Sequence, residues 1–141
     1  MRRAVHKESK AVIALKTYEK KNLKLDEAQQ AVHNEITTLS QMNHPNIMRL
    51  HEVIDQRTQV HLVMECCPGM PLFHHLKKLK DKRMGEQQCK EIMRQLALGV
   101  GYMHCCGKVH RDLKLDNILY DSETQKIKII DFGFSLAARP D

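Results

Sequence analysis

The sequence predicts an α+β fold, with strands gathered early and helices late. Three observations carry that reading. Short apolar runs with strand character fall between residues 11 and 64. Residues 86–104 repeat their apolar side chains at helical spacing. Two further runs, 117–120 and 126–130, flank an Asp-Ser-Glu-Thr turn and predict a hairpin.

Residues 11–17 are mostly apolar, with Lys16 near their end, and predict a strand. The charged Glu19, Lys20, Lys21 and Asn22 after it are expected at the surface. A helix is expected from Asp26, whose carboxylate can accept from free N–H groups of the first turn. Gln29, three residues on, matches a capping box. Ala28, Ala31, Val32, Glu35, Ile36 and Leu39 then recur at helical spacing. His44-Pro45-Asn46 ends the helix, because proline disfavours helical backbone in the residue before it. Strands are expected at 47–54 and 59–64. In the second, Val60, Leu62 and Met64 alternate with His61 and Val63. Pro68, Gly69 and Pro71 punctuate the next stretch. In the long helix Cys89, Ile92, Met93, Leu96, Val100 and Met103 predict one apolar stripe, with Gly107 as its C-terminal cap.

Hydrophobic residues at 42% and charged residues at 28% place the chain among folded rather than disordered proteins. No apolar run approaches the roughly 18 residues of a membrane span. The charged N-terminus has no apolar region behind it, unlike a secretory signal. Five cysteines, four of them in the adjacent pairs Cys66-Cys67 and Cys105-Cys106, suit a reducing, intracellular and cytoplasmic setting better than a disulfide framework. Adjacent cysteines also chelate awkwardly, so no zinc is expected at His104-Cys105-Cys106-x-x-x-His110. The net charge is +6, densest at Lys77, Lys78, Lys80, Lys82 and Arg83. With 4% aromatic residues and no Trp there is no base-stacking platform. A solvated helix face is expected there, with neither nucleic acid nor membrane as partner.

The chemistry concentrates in His110-Arg111-Asp112-Leu113-Lys114-Leu115-Asp116-Asn117, between the long helix and a hairpin that runs into Asp131-Phe132-Gly133. Asn117 stands five residues after Asp112, and Asp131 nineteen after it. In this order and spacing the chain resembles the protein kinase family, with its catalytic and metal loops. The resemblance implies a truncated, two-lobe kinase-like fold. Residues 1–64 would be a partial N-lobe without a glycine-rich loop, and 65–141 the hinge and a partial C-lobe.

It also implies ATP-dependent transfer of the γ-phosphoryl group to Ser or Thr hydroxyls of protein substrates, with Mg²⁺. Charge develops on phosphate oxygens in that reaction, so cations must be fixed around them. By resemblance Asp112 is the base that accepts the hydroxyl proton, and Lys114 sits near the γ-phosphate. Asn117 and Asp131 offer oxygen ligands to Mg²⁺, and Gly133 lets the metal loop turn. Ile13-Ala14-Leu15-Lys16 resembles the family's Val-Ala-Ile-Lys strand. Lys16 would then hold the α- and β-phosphates, with Glu35 as its helix partner. Leu62-Val63-Met64-Glu65-Cys66-Cys67 resembles the hinge. Met64 would stand behind the adenine, which backbone groups of Glu65 and Cys67 would bind. Leu39, Leu50, His110 and Phe132 match one apolar spine of the family, and Ala14, Leu72 and Leu119 the other.

Lys114 resembles the serine/threonine branch, and residues 128–135 the calmodulin-dependent and AMP-activated kinases. Pro71 and Leu115 depart from the common pattern. No glycine precedes Lys16, and eight residues follow Gly133, so about half of the usual domain is expected here. The alternative is a non-catalytic truncated kinase that binds or competes for partners. Alone, the chain is expected to fold poorly and to transfer little phosphate.

Overall fold

The computed structural model describes residues 1–138; residues 139–141 of the expected second segment lie outside them. Strands β1 (Arg2–Val5), β2 (Val12–Glu19), β3 (Leu50–Asp55) and β4 (Gln59–Glu65) form an antiparallel sheet in the order β1-β2-β4-β3. Helix α1 (Asp26–Ser40) lies between β2 and β3 in the chain. The second half carries β5 (Met70–Pro71), α2 (Leu72–Lys78), α3 (Glu86–Cys105), β6 (Lys108–Val109), β7 (Ile118–Asp121), β8 (Lys126–Ile129) and β9 (Leu136–Ala137). There β5, β7 and β8 make one small sheet, and β6 pairs with β9. The fold is α+β, a strand-rich part with one long helix followed by a helical part, the arrangement expected from the sequence.

One apolar core joins both parts: Leu39 of α1 and Leu62 and Met64 of β4 pack with Met103 of α3, Ile129 of β8 and Phe132. A second core under α3 holds Leu72, Ile92, Ile118, Tyr120 and Ile127. Full burial of such a side chain stabilises by about 1.5–3 kcal/mol. Leu39, His110 and Phe132 of one expected spine are buried, and Leu50 is partly so; Ala14 and Leu72 of the other are buried and Leu119 partly so.

Several local expectations change. Strand β1 was not legible, because Arg2–Val5 has no apolar alternation; pairing with β2, Arg3 opposite Ala14, makes it a strand. Strand β2 runs to Glu19, which pairs with Gln59 and is only half exposed. The 47–54 run divides. Ile47 and Met48 are buried outside the strand, and Met48 N–H donates to Ile129 O at 2.9 Å. The main chain therefore stitches the two halves together before β3 begins. The capping box does not form. Leu25 is the N-cap, Asp26 is already helical, and Gln29 Nε2 donates instead to Leu23 O at 2.8 Å. Asp26 and Glu27 still favour the helix through its dipole.

The predicted stripe on α3 is also rotated. Cys89 is exposed and Met93 is 60% exposed, whereas Gln95 and Gly99 are buried beside Ile92 and Met103. Gln95 is drawn in by hydrogen bonds: its Oε1 accepts from Asn46 Nδ2 at 2.9 Å and Ile127 N–H at 3.1 Å. Gly99 lets the chain approach closely, since a Cβ there would stand 2.9 Å from Ile129 Cδ1. Beyond the helix, Gly107 at φ +66° donates its N–H to His104 O, as its capping role requires. Lys77, Lys78, Lys80, Lys82 and Arg83 are all exposed. Among the described residues no helix is long and apolar enough to cross a membrane.

Candidate active site

Strand β2 and helix α1 bring Lys16 and Glu35 together. Lys16 Nζ lies 2.7 Å and 2.8 Å from the two Glu35 carboxylate oxygens, and 3.6 Å from Asp131 Oδ1. Glu35 is buried, so its charge requires these partners. Burial by itself lowers the Lys16 pKa, but the adjacent Glu35 carboxylate more than offsets this and the net shift is upward. Lys16 is therefore cationic at neutral pH. Tyr18, two residues on along β2, also donates its hydroxyl to Glu35. Burial and that bond push its pKa up to about 12. Sequence reading passed over Tyr18, although the two-residue strand period puts it on the face of Lys16.

The catalytic-loop residues meet one another locally. The Asp112 carboxylate accepts from Lys114 Nζ at 2.8 Å and from Asn117 Nδ2 at 2.9 Å. Asn117 Nδ2 donates also to Asp112 O at 2.9 Å, which leaves Asn117 Oδ1 as the oxygen available to a cation. The bond from Lys114 holds the Asp112 carboxyl below the usual carboxylate range, and that contact raises the Lys114 ammonium. The backbone is held in the left-handed region at Arg111 and Asp131, both at φ 65°. Such conformations cost of order 1–3 kcal/mol and gather at functional sites.

His110 supports this loop from beneath. Asp112 N–H donates to His110 Nδ1 at 3.2 Å, so the ring's proton sits on Nε2, 3.0 Å from Ile130 O. Burial lowers its pKa and keeps it neutral. Both ring nitrogens are thus engaged, which removes His110 from any cysteine–histidine metal set. The ring packs on Phe132 with centroids 4.8 Å apart. Arg111 Nε donates to Phe134 O at 2.6 Å.

A cavity of about 240 Å³ opens between the two halves. Ala14, Met48, Glu65, Cys66, Cys67 and Leu119 line it, together with Met1, Arg2 and Arg3. Four of the residues expected at an adenine site, Ala14, Glu65, Cys67 and Leu119, are thus among its lining. Met64 is buried in the core behind the lining. Lys128 was not foreseen: its Nζ pairs with Glu65 Oε1 at 2.5 Å, and Arg49 N–H donates to the same oxygen at 2.7 Å. Burial, then Glu65, push the Cys67 thiol up to about 12, so it stays protonated. A larger concavity, about 750 Å³, lies between α3 and the β7–β8 turn, and of these groups only Lys128 borders it.

These residues fit a nucleotide and a hard cation. The 240 Å³ slot is mainly apolar, as a planar base requires. Asn117 Oδ1 and the half-exposed Asp131 carboxylate are oxygen donors, the type that binds Mg²⁺. Among the described residues no three His, Cys, Asp or Glu side chains gather as a metal cluster.

A Lys–Glu pair reaching toward an aspartate, and an Asp-Lys-Asn loop in the same chain, are the kinds of group that phosphoryl transfer employs. The sequence matches the protein kinase domain model over residues 1–141, and the chain belongs to that family, serine/threonine type. CBL-interacting serine/threonine-protein kinase 17 of Arabidopsis thaliana is 43% identical over 104 residues, which are 74% of this chain and 23% of that protein. Hormonally up-regulated neu tumor-associated kinase homolog A of Xenopus laevis is 37% identical over 98% of this chain and 20% of its own length. CBL-interacting serine/threonine-protein kinase 26 of Arabidopsis thaliana is 35% identical over 99% of this chain and 31% of its own length. The chain thus spans less than a third of each of these relatives. They agree with the serine/threonine branch that the sequence resembles.

Proposed function

We propose that this chain carries the catalytic centre of an ATP-dependent protein serine/threonine kinase, with 1–64 as small-lobe residues and 65–141 as the hinge and the start of the large lobe. The observation that carries the proposal is the position of Lys16, 2.7 Å from Glu35 and 3.6 Å from Asp131. A cation fixed beside two carboxylates, one of them half exposed, suits the phosphate tail of ATP better than a structural ion pair. Bound Mg²⁺ would offset charge on the phosphate oxygens. Asn117 and Asp131 would hold it. Ala14, Met64, Glu65, Cys67 and Leu119 would seat the base, and Lys16 would orient the α- and β-phosphates. Asp112, ionised at neutral pH, accepts the substrate hydroxyl proton, and Lys114 presents positive charge beside it. Protein Ser and Thr hydroxyls are the acceptors. Five free thiols among the described residues support a reducing, cytoplasmic setting.

A second reading, a kinase-like protein that binds partners without turnover, is favoured by exposed Met93, Leu98 and Phe134. A partner would cover such apolar surface. Transfer of radiolabelled γ-phosphate from Mg-ATP to a Ser/Thr peptide decides between the two. In a completed domain turnover is expected, falling by about 10²–10⁴ in Asp112→Asn with little change in the KM for ATP. Near-normal turnover in that variant removes Asp112 from the mechanism. A thermal shift with Mg-ATP but no transfer selects the binding reading.

A further inference from the structure

Two hydroxyls that the proposed chemistry does not use meet in the interior. Thr38 Oγ1 and Ser135 Oγ lie 2.7 Å apart, across 97 residues of sequence, and both residues are at most 2% exposed. Thr38 sits on α1, three residues after Glu35 and next to the buried Leu39. Ser135 sits four residues after Asp131. Ser135 Oγ also donates to Phe132 O at 2.6 Å, and Ser135 N–H donates to the same carbonyl at 2.9 Å. With the Ser135 proton on Phe132 O, the Thr38 proton is the one that bridges the pair. One relay therefore runs from α1 through Ser135 to the turn that follows Asp131.

We propose that Thr38 and Ser135 are positioning residues, a hydroxyl latch that locks α1, and with it Glu35, to the turn that carries Asp131. The proposal rests on the kinase reading, since it concerns the alignment of Lys16, Glu35 and Asp131 for transfer. Moving α1 outward, or swinging the turn away, separates the two hydroxyls among apolar neighbours, where an unpartnered donor is costly. The latch therefore favours the arrangement in which Lys16 reaches both carboxylates. The relay's bonds run among Thr38, Ser135 and the Phe132 carbonyl. Its effect falls on how often the three charged groups are aligned.

The test is a set of variants of the whole protein that carries this chain: Thr38→Val, which keeps the side chain's shape but removes the hydroxyl, Ser135→Ala, their double, and Thr38→Ser. Amide hydrogen exchange of the unliganded protein and peptide-kinase kinetics are measured on each. Thr38→Val should speed exchange across residues 132–137, remote in sequence from the change, as well as in α1. It should lower kcat by about tenfold, the scale of one buried hydrogen bond, while the KM for peptide stays within about twofold. The double variant should be no worse than Ser135→Ala, because that change already removes the Thr38–Ser135 bond together with the one to Phe132 O. Thr38→Ser retains the hydroxyl and should restore both readouts. Exchange changes confined to α1, or additive losses in the double, overturn the latch. If the parent transfers no phosphate, the kinase reading fails while exchange in 132–137 still decides whether the latch exists.

Discussion

The two charged clusters of the site are built in opposite ways. Lys16, Glu35 and Asp131 come from β2, α1 and the turn after β8, and Glu35 is buried at their centre. Asp112, Lys114 and Asn117 come from one short stretch of loop, with the Lys114 side chain 53% exposed. In the first cluster an ion pair stands in for lost water, so removing one partner strands a charge. In the second, water remains a partner. The first cluster therefore ties chemistry to fold stability, and the second separates them.

Within the first cluster, the largest effect should come from breaking the buried pair kinetically. Lys16→Met is expected to lower kcat/KM by roughly 10²-fold or more, and Glu35→Gln to act mainly through Lys16. A double-mutant cycle should then fall well short of additivity. Full additivity would mean that the two residues do not act together, and the comparison would lose its first half.

Stability sharpens the contrast. Glu35→Ala leaves Lys16 only the more distant Asp131 carboxylate and should cost about 3 kcal/mol, the lower end for breaking a buried pair. Asp112→Ala should abolish transfer yet leave the urea midpoint nearly unchanged. Equal midpoint shifts in the two variants would contradict the distinction between buried and open clusters.

An intermediate case lies at the hinge, where the Lys128 and Glu65 side chains are 22% and 25% exposed. Lys128→Met should cost about 1 kcal/mol, near the upper end for partly exposed pairs. Because Glu65 borders the cavity, the KM for ATP should rise more than kcat falls. A change in kcat alone would detach this pair from nucleotide binding.

The smallest effect concerns pH. His110 is buried beneath the loop, near Asp112, Asp131 and Lys114, and burial depresses its pKa below 6.5. Below pH 6.5 the unfolded chain takes up a proton at this residue before the folded one does. Its contribution to stability is thus fully present above pH 6.5 and declines as pH falls toward the folded pKa. Urea midpoints between pH 7 and 5 should fall less steeply in His110→Phe than in the parent. Parallel profiles would show that His110 does not remain neutral in the folded state.

Legibility followed the same divide between local and distant contacts. The helix from Glu86, the Gly107 cap and the late hairpin were readable because periodicity, φ preference and turn residues act over a few positions. Strand β1 was not, since two arginines in four residues mask a strand that exists only through pairing with β2. The 47–54 run looked like one strand because Ile47 and Met48 are apolar, yet they are buried by crossing to Ile129. On α3 the stripe was misplaced by Gln95, whose burial depends on acceptors and donors supplied by Asn46, Ile127 and Gln125.

By itself the sequence determined which groups are present and which lie within one loop: Asp112, Lys114 and Asn117 can meet because so few bonds separate them. It also marked Lys16, Glu35 and Asp131 by their resemblance to family motifs. Only the tertiary structure decided that Lys16 reaches both carboxylates, that Lys128 pairs with Glu65, and that Thr38 meets Ser135. The physical reason is range. A hydrogen bond weakens steeply within a fraction of an ångström, so a 2.7 Å contact between distant elements depends on how whole helices and strands pack. Periodicity encodes which face an element buries, but not where that face comes to rest.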